Sequence, residues 1–137
     1  MFTYVKKAHY HETDQMGVIH HANYVKWMEE ARLAYLERLG LGYKEVEGEK
    51  VFSPVVGVAV QYKSPVHFAD DVAIEVAVLA YTCVKLELAY RFFNKTTAQL
   101  CATASSVHCF IKNGKIISLK KEMPALHEKL SALIPGK

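Results

Sequence analysis

The sequence predicts an α+β domain in which an antiparallel sheet wraps around one long central helix. Two observations carry this. Between about residues 23 and 39 the apolar positions Tyr24, Val25, Trp27, Met28, Ala31, Ala34, Tyr35, Leu36 and Leu39 cover about half the helix circumference, with Lys26, Glu29, Glu30 and Glu37 gathered on the opposite side and Leu33 as the one apolar intruder there. After it, residues 55–119 read almost throughout as long alternating strands. Strands longer than the usual five or six residues make a twisted sheet that curls. One helix of roughly sixteen residues, about 24 Å at ~1.5 Å per residue, suits the inside of that curl.

At 137 residues the chain fits one domain spanning 1–137, long enough to bury about two-thirds of its unfolded surface. Hydrophobic residues make up 51% and charged residues 23%, a globular rather than a disordered composition. The formal charge of +3 is mild and its lysines are dispersed, which gives no footprint for nucleic acid. The longest apolar run, Val55 to Val60 with Gly57 inside it, is far too short to enter a membrane as a span. MFTYVKKAHY at the start alternates and has no signal-peptide core. Cys83, Cys101 and Cys109 show no CxxC spacing. On one strand, Cys101 and Cys109 would lie about 27 Å apart, beyond any disulfide. Reduced thiols and a cytoplasmic setting are the simplest expectation.

In order, residues 2–12 read as a first strand and 13–22 as a loop. The helix follows, with Asn23 as its expected N-cap and Gly40 as its C′ residue. Residues 40–50 form a polar connector with room for a helical turn at Tyr43–Glu47. Val55–Lys63 is a strand with Val56, Val58, Val60 and Tyr62 on one face, interrupted by Ser64-Pro65. Val72–Phe93 is β with a reversal near Tyr81–Val84, and Asn94–Thr97 is a turn. Ala98–Ile111 is the last long strand, followed by an Asn113-Gly114 hairpin into Lys115–Leu119. Pro124 opens a closing helix. The outward sheet face keeps Ala73, Ala77, Leu79, Ala89 and Phe93, leftover apolar surface that predicts self-association as a dimer or tetramer.

The run Tyr10-His-Glu-Thr-Asp14-Gln-Met-Gly17-Val-Ile-His-His21-Ala-Asn-Tyr24, followed by Glu29-Glu-Ala-Arg32, resembles the signature of the 4-hydroxybenzoyl-CoA thioesterase class of hotdog-fold proteins. It is most similar to the acyl-CoA thioesterase branch associated with the Tol–Pal envelope system. The likeness extends through Pro65-Val-His-Phe-Ala-Asp70-Asp71 and covers nearly the whole chain. It implies hydrolysis of acyl-CoA or acyl-carrier protein thioesters and sites between subunits of a homo-oligomer. It implies no metal and no cofactor, coenzyme A being part of the substrate. Gln15-Met16 departs from the pattern, because relatives often carry small residues there.

Thioester hydrolysis needs a nucleophile or activated water, and donors for charge developing on the carbonyl oxygen. Asp14 beside a helix start can serve the first need; taken alone, it reads as an Asx-turn capping the loop. The resemblance implies that it is the catalytic carboxylate, as nucleophile or general base. The backbone N–H of Tyr24, just after the expected cap, is the candidate oxyanion donor. His21 is placed by the resemblance near the scissile carbonyl, and otherwise reads as a surface histidine. Gly17 permits a backbone shape or a close substrate approach. Asn23 and Ser64 are binding candidates whose plainer readings are a cap and a turn. Lys63, Arg91 and Lys112 are candidates for coenzyme A phosphates if they share a rim. His9 and His11 project from one side of the expected strand without a third metal ligand. Arg32 falls within the apolar arc and needs Glu29 as partner. Two rivals remain at this level: a non-catalytic acyl-thioester-binding module, and a hotdog dehydratase of β-hydroxyacyl thioesters.

Overall fold

The computed structural model describes residues 2–39 and 50–134. Five strands form one antiparallel sheet: β1 (Phe2–Lys7), β2 (Val55–Tyr62), β3 (Asp71–Thr82), β4 (Lys85–Asn94) and β5 (Gln99–Cys109). Their order is β1-β3-β4-β5-β2. The helix α1 (Ala22–Arg38) packs on one face of it. Alternation decides which face. Val72, Ile74, Val76 and Val78 of β3 are buried in step with Leu86, Leu88, Tyr90 and Phe92 of β4, while the residues between them are only partly covered. Tyr24, Trp27, Met28, Ala31 and Tyr35 of α1 fill the space above them.

Beyond β5, Asn113 and Gly114 both take positive φ, 54° and 76°, and turn β6 (Ile111–Lys112) back on β7 (Lys115–Ile116). The expected strand to Leu119 stops at Ile116. Leu119 instead opens a short helix α2 (Leu119–Glu122), and Pro124 begins α3 (Pro124–Ala132), which buries Leu126 and Leu130. The β3–β4 reversal falls at Cys83-Val84, inside the expected window. The expected turn at Tyr43–Glu47 and the C′ role of Gly40 lie outside the described residues.

Three expectations change. The first strand ends at Lys7 rather than residue 12, and Tyr10–Glu12 forms a single 3-10 turn. A buried carboxylate is the reason: Glu12 accepts the His9 N–H at 2.8 Å and the Trp27 Nε1–H at 2.8 Å, which pulls the chain out of the sheet and under α1. His9 and His11 therefore do not share a strand face; their rings meet edge to face at 5.3 Å. Second, α1 starts at Ala22, with His21 in the cap position two residues before the expected Asn23. Asn23 is inside the helix, and its Nδ2 donates to the Glu12 carbonyl at 2.8 Å instead of capping. Third, β2 buries neither face: Val55, Val56, Val58 and Tyr62 are all about half exposed, because β2 is an edge strand that α1 scarcely covers.

Glu12 anchors this architecture, and its charge matters. Burial pushes its pKa up, but the Trp27 and His9 N–H donors and the nearby Lys6 and His9 outweigh that and hold it below the ordinary 4.5. Stability contributed in this way is present above pH 4.5 and is lost as pH falls through the lower folded value. Glu12→Gln should lower unfolding free energy at pH 7 by about 2 kcal/mol, the scale of hydrogen bonds to a charged group. In denaturant melts the gap to wild type should close as the pH is taken below 4.5.

Candidate functional site

The loop from Thr13 to His21 is a miniature hairpin laid against residues 64–70. Thr13 bridges Ile19 and Val18 bridges His67 in antiparallel fashion, and the Ile19 N–H donates to the Val66 carbonyl at 2.8 Å. The opposing segment is itself pinned, since buried Asp70 accepts from the His67 N–H and from Asn94 Nδ2, each at 2.9 Å. Gly17 makes the hairpin possible. Its φ is +78°, and a Cβ there would meet nothing within 4 Å, so backbone shape rather than close approach of the chain explains the glycine.

Asp14 closes the turn. Its Oδ1 accepts the Met16 N–H at 2.8 Å and the Val18 N–H at 3.4 Å, and its own N–H donates to the Val18 carbonyl. Its Oδ2 makes no hydrogen bond among the described residues. The turn-capping and chemical readings of Asp14 are thus compatible, one oxygen for each.

A cleft of about 240 Å³ opens beside this turn, lined by Val18, Ile19, His21, Tyr24, Tyr62, Lys63, Ser64 and Pro65. It gathers four of the candidate residues, His21, Tyr24, Lys63 and Ser64. Asp14, Gly17 and Asn23 lie outside the lining, Asp14 being tied to it through Val18. Val18, Ile19, Tyr62 and Pro65 were not singled out as site residues. Only the register of β2 against β5, where Tyr62 faces Ala102, brings Tyr62 to the helix start. There its hydroxyl donates to the His21 carbonyl at 2.9 Å and its ring stands edge-on to Tyr24 at 5.0 Å.

The donors at the helix start differ from expectation. The Tyr24 N–H turns back on the His21 carbonyl at 3.3 Å, the Asn23 N–H on the His20 carbonyl at 3.0 Å, and the Ala22 N–H on His20 Nδ1 at 3.1 Å. Because the cap is His21 rather than Asn23, the N–H without an acceptor among the described residues is that of His21. The Tyr24 ring is core: buried against Trp27 and Phe92, with its hydroxyl pKa raised well above 10 by burial and by nearby Cys101 and Tyr62. The His21 ring is exposed and stacks on His20 at 4.2 Å.

Of the three candidate phosphate cations, Lys63 alone borders the cleft. Arg91 sits near Glu75 at 3.7 Å across β3 and β4, and Lys112 bonds Glu122 at 3.3 Å beyond the hairpin. Ser64 Oγ donates to the Leu100 carbonyl at 3.1 Å, so its hydroxyl proton serves the turn. Burial pushes the Cys101 thiol up to about 11, and its Sγ–H donates to the Phe92 carbonyl, which leaves no thiolate nucleophile there. Among the described residues no helix is long and apolar enough to cross a membrane.

Residues 8–132 match the model of the thioesterase-like superfamily. The chain belongs to that family. It is 36% identical over 123 residues to a putative acyl-CoA thioesterase, YneP, of Bacillus subtilis, with 88% of each chain covered. A putative esterase of Aquifex aeolicus is 30% identical, covering 89% of this chain and 94% of that protein. Among solved structures, a DHNA-CoA thioesterase from Staphylococcus aureus superposes with a TM-score of 0.91 at 35% identity, over 95% of this chain and 88% of that one. The long helix on a five-stranded antiparallel sheet is the hotdog fold.

The Gly17 geometry predicts a cost of about 1 kcal/mol for Gly17→Ala, from forcing an alanine to φ +78° with open space around its methyl group. Thermal melts of the two proteins measure it.

Proposed function

We propose that this protein is an acyl-CoA thioesterase, hydrolysing acyl-CoA or acyl-carrier protein thioesters to free acid and thiol. The observation that carries this is a cleft bordered by His21, whose backbone N–H at a helix start has no acceptor among the described residues, and by Val18 of the turn in which the Asp14 carboxylate keeps one oxygen free. A thioester carbonyl seated by His21 would direct its oxygen to the His21 N–H, where the positive end of α1 favours developing negative charge. Asp14 Oδ2 then either takes a proton from the water that attacks the carbonyl carbon, or attacks it directly to form an acyl–Asp14 anhydride that a water molecule afterwards hydrolyses to the free acid. Charge collapses back onto carbon as the C–S bond breaks, and the sulfur leaves as thiolate. Lys63 and the Ser64 turn flank the pantetheine arm and its phosphates. The names of the B. subtilis and S. aureus proteins support acyl-CoA as the substrate class. The Asp14-to-Tyr24 motif is our ground for setting the chain near the Tol–Pal-associated branch, and three thiols without a bridge support a cytoplasmic setting.

We also infer that a second copy of the chain covers β2. An unpaired edge strand with four half-exposed apolar residues is an open template for strand pairing. Tyr62, at its end, is already a wall of the cleft. Sedimentation should give a dimer or tetramer, and Val56→Lys should shift it toward monomer. A monomeric wild type would defeat the inference.

Asn at position 14 can still accept the Met16 and Val18 N–H bonds but lacks the charge, so Asp14→Asn separates the turn from the chemistry. With melting temperature and assembly retained, thiol release from a panel of acyl-CoAs should fall by about 100-fold or more. A folded variant that keeps its rate removes Asp14 from the reaction. A wild type that binds acyl-CoA but releases no thiol would be a binding module instead.

A further inference from the structure

Further along α1 and β2 from the cleft lies a second cavity, lined by different residues. Moving along α1 from Tyr24, the residues facing β2 are Val25, Met28, Glu29 and Arg32, and along β2 from Tyr62 they are Val58 and Val55. With Tyr90, Ser106 and His108 they enclose this cavity of about 40 Å³. Its roof is incomplete, since Val25 and Val58 are 40% and 47% exposed.

This second cavity is polar where the core around it is not. Tyr90 Oη, Ser106 Oγ and His108 Nε2 form a chain with 2.7 Å links. His108 Nδ1, on a wholly buried residue, has no partner of full hydrogen-bond geometry, although the Ser53 backbone carbonyl lies near the ring. Arg32 is 92% withdrawn from solvent, yet among the described residues it donates no hydrogen bond; the Glu29 carboxylate stands 3.6 Å away and is largely exposed. A buried ring nitrogen without a full partner is costly, and a bound polar atom would relieve it, with Arg32 lining the same cavity.

Two rulers give the distance from cleft to cluster. Eight residues of α1 separate Tyr24 from Arg32, about 12 Å. On the sheet, Tyr62 pairs with Ala102 and Val58 with Ser106, and four residues of strand span about 14 Å. A fully extended chain covers about 3.5 Å per three bonds, so the gap corresponds to roughly ten to twelve bonds.

We propose that the acyl chain runs along α1 and β2 from the cleft to this cavity and that Arg32, Tyr90, Ser106 and His108 recognise a hydroxyl at the far end of a medium-length acyl chain. This rests on the thioesterase reading above. A hydroxyl on a single aromatic ring would stop well short of the cluster. A carboxylate is disfavoured, because it would be desolvated beside Glu29, which already shares Arg32. A hydroxyl both donates and accepts, which suits an imidazole that burial and Arg32 keep neutral, its pKa pulled down to about 4 despite the Ser53 carbonyl.

The test compares thiol release from dodecanoyl-CoA, ω-hydroxydodecanoyl-CoA and the matching ω-carboxylate, with hexanoyl-CoA as a short reference. Wild type should favour the hydroxylated chain over the plain one by about tenfold in kcat/KM, the scale of one good hydrogen bond. Ser106→Ala should bring that ratio to about one. Ser106→Thr, which keeps the hydroxyl, should preserve it, and melting curves establish that both variants fold. The proposal is overturned if wild type takes the plain chain equally well, if the carboxylate is preferred, or if the ratio survives Ser106→Ala. In each of those cases turnover of hexanoyl-CoA leaves the thioesterase reading standing. Failure to hydrolyse any of the four would overturn that reading, and the channel with it.

Discussion

One buried carboxylate sets the position of everything at the site. Glu12 holds the His9 N–H and the Trp27 indole with its two oxygens, while its backbone carbonyl accepts from the His20 N–H and the Asn23 amide. Those contacts stop β1, pull the following turn under α1, and hold the last residues before the helix. The His21 N–H is left unoccupied because its neighbours are bonded inward. Trp27 is wholly buried, so the site loop is tied directly to the core. Preorganisation of this kind is what lets a backbone donor act without rearranging during reaction.

The sheet explains the rest of the site by its asymmetry. β3 and β4 are central and bury a full face under α1, whereas β2 at the edge is covered on neither side. A single helix spans only part of a curled sheet, and two cavities lie along α1 and β2, the cleft near the helix start and the Arg32–His108 cluster further along. Arg32 illustrates the electrostatic cost. Its charge is buried, and its partner Glu29 reaches it only at 3.6 Å from the solvent side.

Particular residues show where sequence reasoning succeeds. The Asn113-Gly114 turn, Pro124 at a helix start, the alternation of β3 and β4 and the pairing of Arg32 with Glu29 are local, i to i+4 at most, and each was legible. Of His21, Lys63 and Ser64, the family motif pointed to His21 alone; Lys63 and Ser64 were candidates from their place at a strand break, and the fold brings all three to one cleft. The failures are equally specific. Nothing between residues 8 and 12 says that Glu12 bonds a tryptophan fifteen residues on, and so the first strand was drawn too long. Asn23 is a good cap by composition, but a better long-range acceptor took its amide.

By itself, the sequence determined the class of the fold, the long helix, the hairpins and the thioesterase family, because periodicity, turn chemistry and a contiguous motif are all properties of neighbouring residues. The tertiary structure alone decided which N–H at the helix start is free, which lysine reaches the cleft, and that Tyr90, Ser106, His108 and Arg32 meet at one cavity. Each of these depends on strand register and on a helix beginning one residue earlier or later. A one-residue slip turns a strand's side chains to the other face and moves a helical one by about 100°, a difference set by packing rather than by local preference.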